Sequence, residues 1–146
     1  MSIVKIMTSI NVQFTKLLQH ATEMQQLAIC SYSKFPVGAS LLTDTGIIIG
    51  GCNIESISYG LTMCAERVAI FSALAQGYKN FTHLALVTNS AVFPCGACRQ
   101  MIYEFCPQAQ ILIAIPEKII TTSTAQELMP HAFCNFNSTS EKRLIS

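Results

Sequence analysis

From Asn11 onward, apolar residues fall at Phe14, Leu17, Leu18, Ala21, Met24 and Leu27, the three-and-four spacing of an amphipathic helix, with Asn11 placed to cap its start. The period then changes. Residues 31–36 read as a loop, and the runs 37–43 and 47–53 are extended, joined by Asp44-Thr45-Gly46 as a hairpin turn. Residues 63–76 return to helix, apolar on nearly every side and therefore expected in the interior, with Gly77 as the stop. A short apolar strand at 84–88 follows. Pro94 sits where the next helix can begin, since its missing N–H has no intrahelical partner there, and the helix runs to Phe105 before Pro107.

Residues 111–115 form another buried strand, and Pro116-Glu117-Lys118 leaves room only for a tight antiparallel return into 119–122. Thr124-Ala125-Gln126-Glu127 has the form of a capping box opening a last short helix. The order α-β-β-α-β-α-β-β-α implies an α/β fold, a three-layer α/β/α sandwich around a five-stranded mixed sheet. With no repeat or linker in 146 residues, a single domain over 1–133 is expected, followed by a loosely held tail over 134–146.

Composition changes this picture in one respect. Charged residues are only 12% and hydrophobic ones 51%, too little charge to cover the surface of one subunit, so part of that surface is expected to be buried in a homo-oligomer. The net charge of +1, with no Lys/Arg run, argues against nucleic acid as a partner. No apolar run approaches the roughly 20 residues of a membrane span, and residues 1–10 lack the continuous apolar core of a signal peptide. No membrane partner is expected, and the cytoplasm is the expected location. Seven cysteines, an odd number, suit a reducing compartment better than a disulfide framework.

Three of those cysteines carry the chemistry. Cys95 and Cys98 are three apart, on one face of a helix's first turn, and Cys64 falls in another first turn 95 − 64 = 31 positions earlier. Helix N-termini favour thiolate over thiol. Three such ligands suit a zinc ion with an open fourth position for water. Glu66, two positions from Cys64, does not share its helix face; it is better read as a neighbour of that water than as a ligand. Three thiolates and Zn²⁺ total −1, and Arg67 is placed to offset that charge by hydrogen bonding to ligand sulfur. A redox pair would not need the distant Cys64-Ala65-Glu66. For a closed structural zinc, none of Cys30, Cys52, Cys106, Cys134, His20, His83 and His131 stands at ligand spacing; those four cysteines read as small apolar residues of the interior.

With Cys64-Ala65-Glu66 and Pro94-Cys95-Gly96-Ala97-Cys98 in hand, the sequence resembles a cytidine deaminase of the small homotetrameric kind, and the site chemistry is that of the zinc deaminases in general. The likeness also takes in Ser31-Tyr32-Ser33-Lys34-Phe35-Pro36-Val37-Gly38-Ala39, Gly51-Cys52-Asn53-Ile54-Glu55, Ser58-Tyr59-Gly60, residues 94–100, and Glu127-Leu128-Met129-Pro130 with Phe133. It implies one Zn²⁺ per subunit on Cys64, Cys95 and Cys98, and catalytic Glu66 moving a proton from the attacking water to N3 of cytosine. Asn53 and Glu55 are implied to hold the ribose hydroxyls, Phe35 to pack against the pyrimidine and Ala65 to offer backbone contact to the base. Phe133 is implied to reach over a neighbouring subunit's site, with Tyr59 near a subunit contact, making the pockets of a homotetramer composite. The segment 88–93, ending in Phe93 where a Ser is common in the family, is implied to border the base. The implied activity is deamination of cytidine and 2′-deoxycytidine in pyrimidine salvage. The alternatives are a deaminase of a modified or antibiotic cytosine nucleoside, against which Asn53 and Glu55 argue, and a non-catalytic zinc-stabilised interaction module, against which Glu66 argues.

Overall fold

In a computed structural model, which describes residues 3–134, the chain forms α1 (Ile3–Gln26), β1 (Gly38–Thr43), β2 (Ile48–Cys52), α2 (Ala65–Ala75), β3 (Phe81–Val87), α3 (Gly96–Phe105), β4 (Gln110–Ile115), β5 (Lys118–Thr124) and α4 (Ala125–Leu128). The strands make one five-stranded sheet in the order β2-β1-β3-β4-β5. Only β3 and β4 are parallel, joined through α3; the other neighbours are antiparallel. The order and the mixed sheet are those the hydrophobic pattern predicts. From residue 135 on, the expected tail lies outside the described residues.

Strand alternation divides the core in two. Leu42, Ala85, Val87, Leu112 and Ala114 face α1, where Leu17, Leu18 and Ala21 cover them. Leu41, Leu84, Leu86, Ile111 and Ile113 face the opposite way, against Ala69, Ile70 and Ala73 of α2 and Ile102 of α3. Period two on the strands and period 3.6 on the helices thus build a three-layer sandwich. Two glycines let helices settle onto the sheet. A Cβ on Gly38 would collide with the Ala21 carbonyl and the Gln25 amide of α1, and one on Gly51 would strike the backbone of Ala65 and Ala69 in α2. Close approach at these points fixes both helices at the edge of the sheet where β1 begins and β2 ends.

The pattern misplaced three features. The first helix starts at Ile3, so Asn11 lies within it and does not cap it; an interior Asn costs a helix well under about 1 kcal/mol, too little to force a start. The second helix is not interior on all sides: Ala65, Ala69, Ile70 and Ala73 are buried, whereas Phe71 is exposed. Its small residues lie on the sheet, and its outer apolar face remains open. Pro94 does not begin α3. The N-cap is Cys95, in extended conformation, and Pro94 is buried just before it with its carbonyl accepting from Arg99 Nε at 2.7 Å. The capping box is present at α4, with Thr124 accepting from the Glu127 amide and Glu127 accepting from the Thr124 amide.

Candidate metal centre and nucleoside pocket

Two helix N-termini meet at the site. Cys64 is the N-cap of α2 and Cys95 the N-cap of α3, and neither side chain caps its own helix. Cys98 lies in the first turn of α3 and is fully buried, while Cys95 is exposed. The three sulfurs lie within 4.8 Å of one another, with Cys64 Sγ and Cys95 Sγ 3.9 Å apart. Tetrahedral ligands at the usual Zn–S length of about 2.3 Å stand about 3.8 Å apart, so the spacing fits.

The electrostatics point the same way. Cys98 donates to Cys64, and this hydrogen bond, with those from Arg67 and Cys95, draws the Cys64 thiol down to about 5 against the effect of burial. The same bond, with burial and the nearby Glu66 and Cys64 charges, pushes Cys98 far up. Three thiolates this close cannot all ionise without a cation among them, and a divalent metal meets that demand. Arg67 Nη2 sits 3.6 Å from Cys64 Sγ. Its Nε is buried without a hydrogen-bond partner, so one edge of the guanidinium is shielded from water while Nη2 faces the sulfur.

Glu66 is 4% exposed. Burial, with a smaller contribution from the Cys64 charge, raises its carboxyl to about 7, the range in which a carboxylate both takes and returns a proton at neutral pH. Ala65, the first residue of α2, is fully buried against Gly51.

Asn53, Glu55 and Tyr59 gather around the loop over residues 31–37, which carries Phe35. Asn53 spans it, with Oδ1 accepting from the Val37 amide at 2.8 Å and Nδ2 donating to the Phe35 carbonyl at 2.9 Å. One N–H and one lone pair of that amide remain for a ligand. Glu55 accepts from the Tyr32 amide at 2.7 Å and from the Ser33 amide, and hydrogen bonds from Ser33 and Tyr32 hold its carboxyl below the usual range. Phe35 is exposed. Tyr59, 70% exposed, stacks edge-on against Tyr32 with ring centroids 5.4 Å apart. Phe133 is 72% exposed, and its backbone exchanges two hydrogen bonds with the Gln100 side chain, which ties it to the helix that carries Cys95 and Cys98. Of the four remaining cysteines only Cys106 is interior; Cys30 and Cys52 are half-buried and Cys134 is exposed. Cys30 follows α1 in a loop, and Cys52 ends the edge strand β2, with Sγ donating to the Leu27 carbonyl.

Two groups of residues escaped the sequence reading. Arg99 and Gln100 stand behind the metal cluster, bonding to Pro94, Leu128 and Phe133, and nothing in the hydrophobic pattern marks them. Gln25 did leave a signal. It follows Ala21 by four and Leu18 by seven, on the apolar stripe of α1, where a polar residue is out of place.

Three clustered thiols with a buried carboxylate beside one of them, on a mixed α/β/α sheet, fit the zinc-dependent hydrolases of deaminase type. Residues 12–114 match the model of the cytidine and deoxycytidylate deaminase zinc-binding region, and the chain belongs to that family. Among the described residues, Cys64, Cys95 and Cys98 form a cluster that could hold the zinc of that family. It is 44% identical over 121 residues to a cytidine deaminase of Sporosarcina psychrophila, covering 81% of this chain and 89% of the relative. A cytidine deaminase of Halalkalibacterium halodurans is 42% identical over 120 residues, covering 80% of this chain and 91% of the relative. The crystal structure of cytidine deaminase from Burkholderia pseudomallei superposes with a TM-score of 0.77 at 40% identity, covering 81% of this chain and 97% of that one.

Proposed function

We propose that the chain hydrolytically deaminates cytidine and 2′-deoxycytidine to uridine and 2′-deoxyuridine, releasing ammonia, in pyrimidine salvage. The observation that carries the reading is Glu66, buried beside three clustered thiols and raised to about 7; the relatives named cytidine deaminase support the substrate. Zinc held by Cys64, Cys95 and Cys98 supplies Lewis acidity, making water easier to deprotonate at neutral pH. Glu66 takes the proton from the attacking water and delivers it to N3 of the cytosine ring. The water oxygen bonds to C4; Glu66 then takes the remaining proton of that oxygen and delivers it to the exocyclic nitrogen as the C4–N bond breaks, ammonia leaves and the C4 carbonyl forms. Asn53 offers its remaining amide hydrogen and lone pair, and Glu55 its carboxylate, to the ribose hydroxyls; Phe35 packs on the pyrimidine and Ala65 offers its backbone to the base.

The single domain is assigned to residues 1–133. The proposed location is the cytoplasm; no helix among the described residues is long and apolar enough to cross a membrane. Exposed Ile57, Tyr59 and Leu61 lie close together in sequence, and with Phe71 and Phe133 they leave more apolar surface uncovered than one subunit hides well. They support a homotetramer in which Phe133 closes a neighbour's pocket. Light scattering on the purified protein is expected to give four chains per particle; a monomer active at full rate excludes the composite pocket.

Loss of ultraviolet absorbance on incubation with cytidine, deoxycytidine and cytosine tests the activity. Both nucleosides are expected to react and free cytosine to lag far behind. A preference for the free base sinks the ribose clasp, and zinc-loaded protein inert toward every cytosine nucleoside sinks the enzyme. Arg67→Ala is expected to lower zinc affinity and turnover together, by about tenfold, because it strips a charge-assisted hydrogen bond worth about 1.5–3 kcal/mol from a ligand sulfur. Unchanged metal content and rate in Arg67→Ala show that the guanidinium does not tune the metal.

A further inference from the structure

Gln25 is 6% exposed, on the stripe of α1 that faces the sheet. A buried amide is costly there unless its hydrogen bonds are made, and a leucine would be the ordinary occupant. Its Nε2 donates both ways, 3.2 Å to the Pro36 carbonyl and 3.0 Å to Asn89 Oδ1. The first acceptor belongs to the segment carrying Phe35 and the second to the segment that the family resemblance sets beside the base, the two walls of the proposed pocket. Pro36 lies between Phe35 and Val37, the residues that Asn53 grips. Asn89 begins the segment 89–94 that runs directly into Cys95.

That second segment is held at few points, one of them Ala91, which packs against the core layer under α2 and α3. Ala91 adopts a left-handed backbone with φ of 51°, and Val92 and Phe93 are exposed. Its other tethers are local: Thr88 Oγ1 accepts from the Val92 amide at 3.2 Å, and Arg99 Nε holds the Pro94 carbonyl. Gln25 joins it to the opposite wall. The donor is itself fixed in place, because α1 rests against Gly38 at Ala21 and at Gln25.

We infer that Gln25 is a positioning residue that couples the Phe35–Pro36–Val37 wall to the 89–94 wall and so sets the width of the nucleoside pocket between Phe35 and Phe93. The inference deepens the proposed deaminase reading and rests on it for its kinetic consequence. Its mechanical consequence does not depend on turnover. With the bridge cut, both walls are released together while the thiol cluster, anchored on α2 and α3, stays in place.

Gln25→Leu keeps the apolar volume and removes both donors. The expected result, on the full chain loaded with zinc, is a KM for cytidine raised about five- to tenfold, with kcat within about twofold and one zinc per chain, the effect of losing a pair of ordinary hydrogen bonds. Asn89→Ala is expected to reproduce part of that rise. The double variant should be no worse than Gln25→Leu alone, because both cut the same bridge. Amide hydrogen exchange is expected to accelerate at Phe35 and Val37, on either side of Pro36, and in residues 89–93 at once. A folded, zinc-loaded Gln25→Leu with unchanged KM, or a double variant whose effects simply add, overturns the inference. Exchange that speeds up in only one wall, or in neither, overturns it even if the wild type deaminates nothing, whereas an inert wild type with both walls loosened overturns only the deaminase reading.

Discussion

Glu66→Gln is expected to cut turnover of cytidine by about 10³-fold or more, near the top of the range for a positioned general acid–base, because the one carboxylate serves both water deprotonation and delivery of protons to the substrate. The amide has almost the same volume as the carboxylate and fits the same pocket without a buried charge. The variant should therefore be at least as stable as the wild type, since Glu66 is buried and ionising a carboxyl there is costly. Zinc content is expected to stay at one per chain, because the metal cluster consists of Cys64, Cys95 and Cys98. The KM should change little. Measured together, kcat, KM and metal content separate the proposed role from a structural one. A variant retaining a tenth of wild-type kcat shows that another group moves the proton, and one that loses zinc shows that Glu66 supports the metal directly.

How much of this was readable beforehand depends on the kind of interaction. The strands and helices came through because burial on a sheet imposes period two and burial on a helix imposes 3.6; Leu84 and Ala85, adjacent in sequence, lie in opposite core layers. Cys95 and Cys98 were legible as a pair because their spacing is local, and Cys64 because its neighbours Ala65 and Glu66 complete a recognisable chemistry. Helix starts were less legible. Asn11 can cap a helix but need not, and Pro94 can open one but here precedes the N-cap, since side-chain bonds such as Arg99 to Pro94 decide between nearly equal backbone options. What sequence spacing does not reveal is the long-range polar bond. Gln25 reaches across 64 residues to Asn89, and Gln100 across 33 to Phe133. Of these, only Gln25 betrays itself, by standing where an apolar residue belongs.

Removing the metal is expected to abolish activity while leaving the fold standing. In small zinc domains the ion replaces a hydrophobic core, and chelation unfolds them. Here both faces of the sheet carry their own buried clusters, Leu17, Leu18 and Ala21 over one and Ile70, Ile102 and Ile111 over the other, and none of these residues is a ligand. The helical and sheet signal in far-ultraviolet circular dichroism should therefore survive exhaustive chelation. Stability should still fall. An ion held by Cys64, Cys95 and Cys98 would tie the N-cap of α2 to the first turn of α3, and a ligand present at about 100 times its dissociation constant contributes about 2.7 kcal/mol to the folded state. For a domain of this size that corresponds to roughly 5–10 °C in melting temperature. Activity should drop below about 1% of the loaded enzyme, since the barrier to deprotonating water returns to its uncatalysed height when the Lewis acid is gone. It should recover on adding back one equivalent of zinc per chain. Cys95→Ala supplies the genetic counterpart: this exposed N-cap residue makes no side-chain bond to its own helix, so its loss should mimic chelation in rate with no gain in activity on adding zinc. Full turnover by metal-free protein refutes the zinc chemistry, and unfolding on chelation shows that the two core layers cannot hold the sheet together without the ion between α2 and α3.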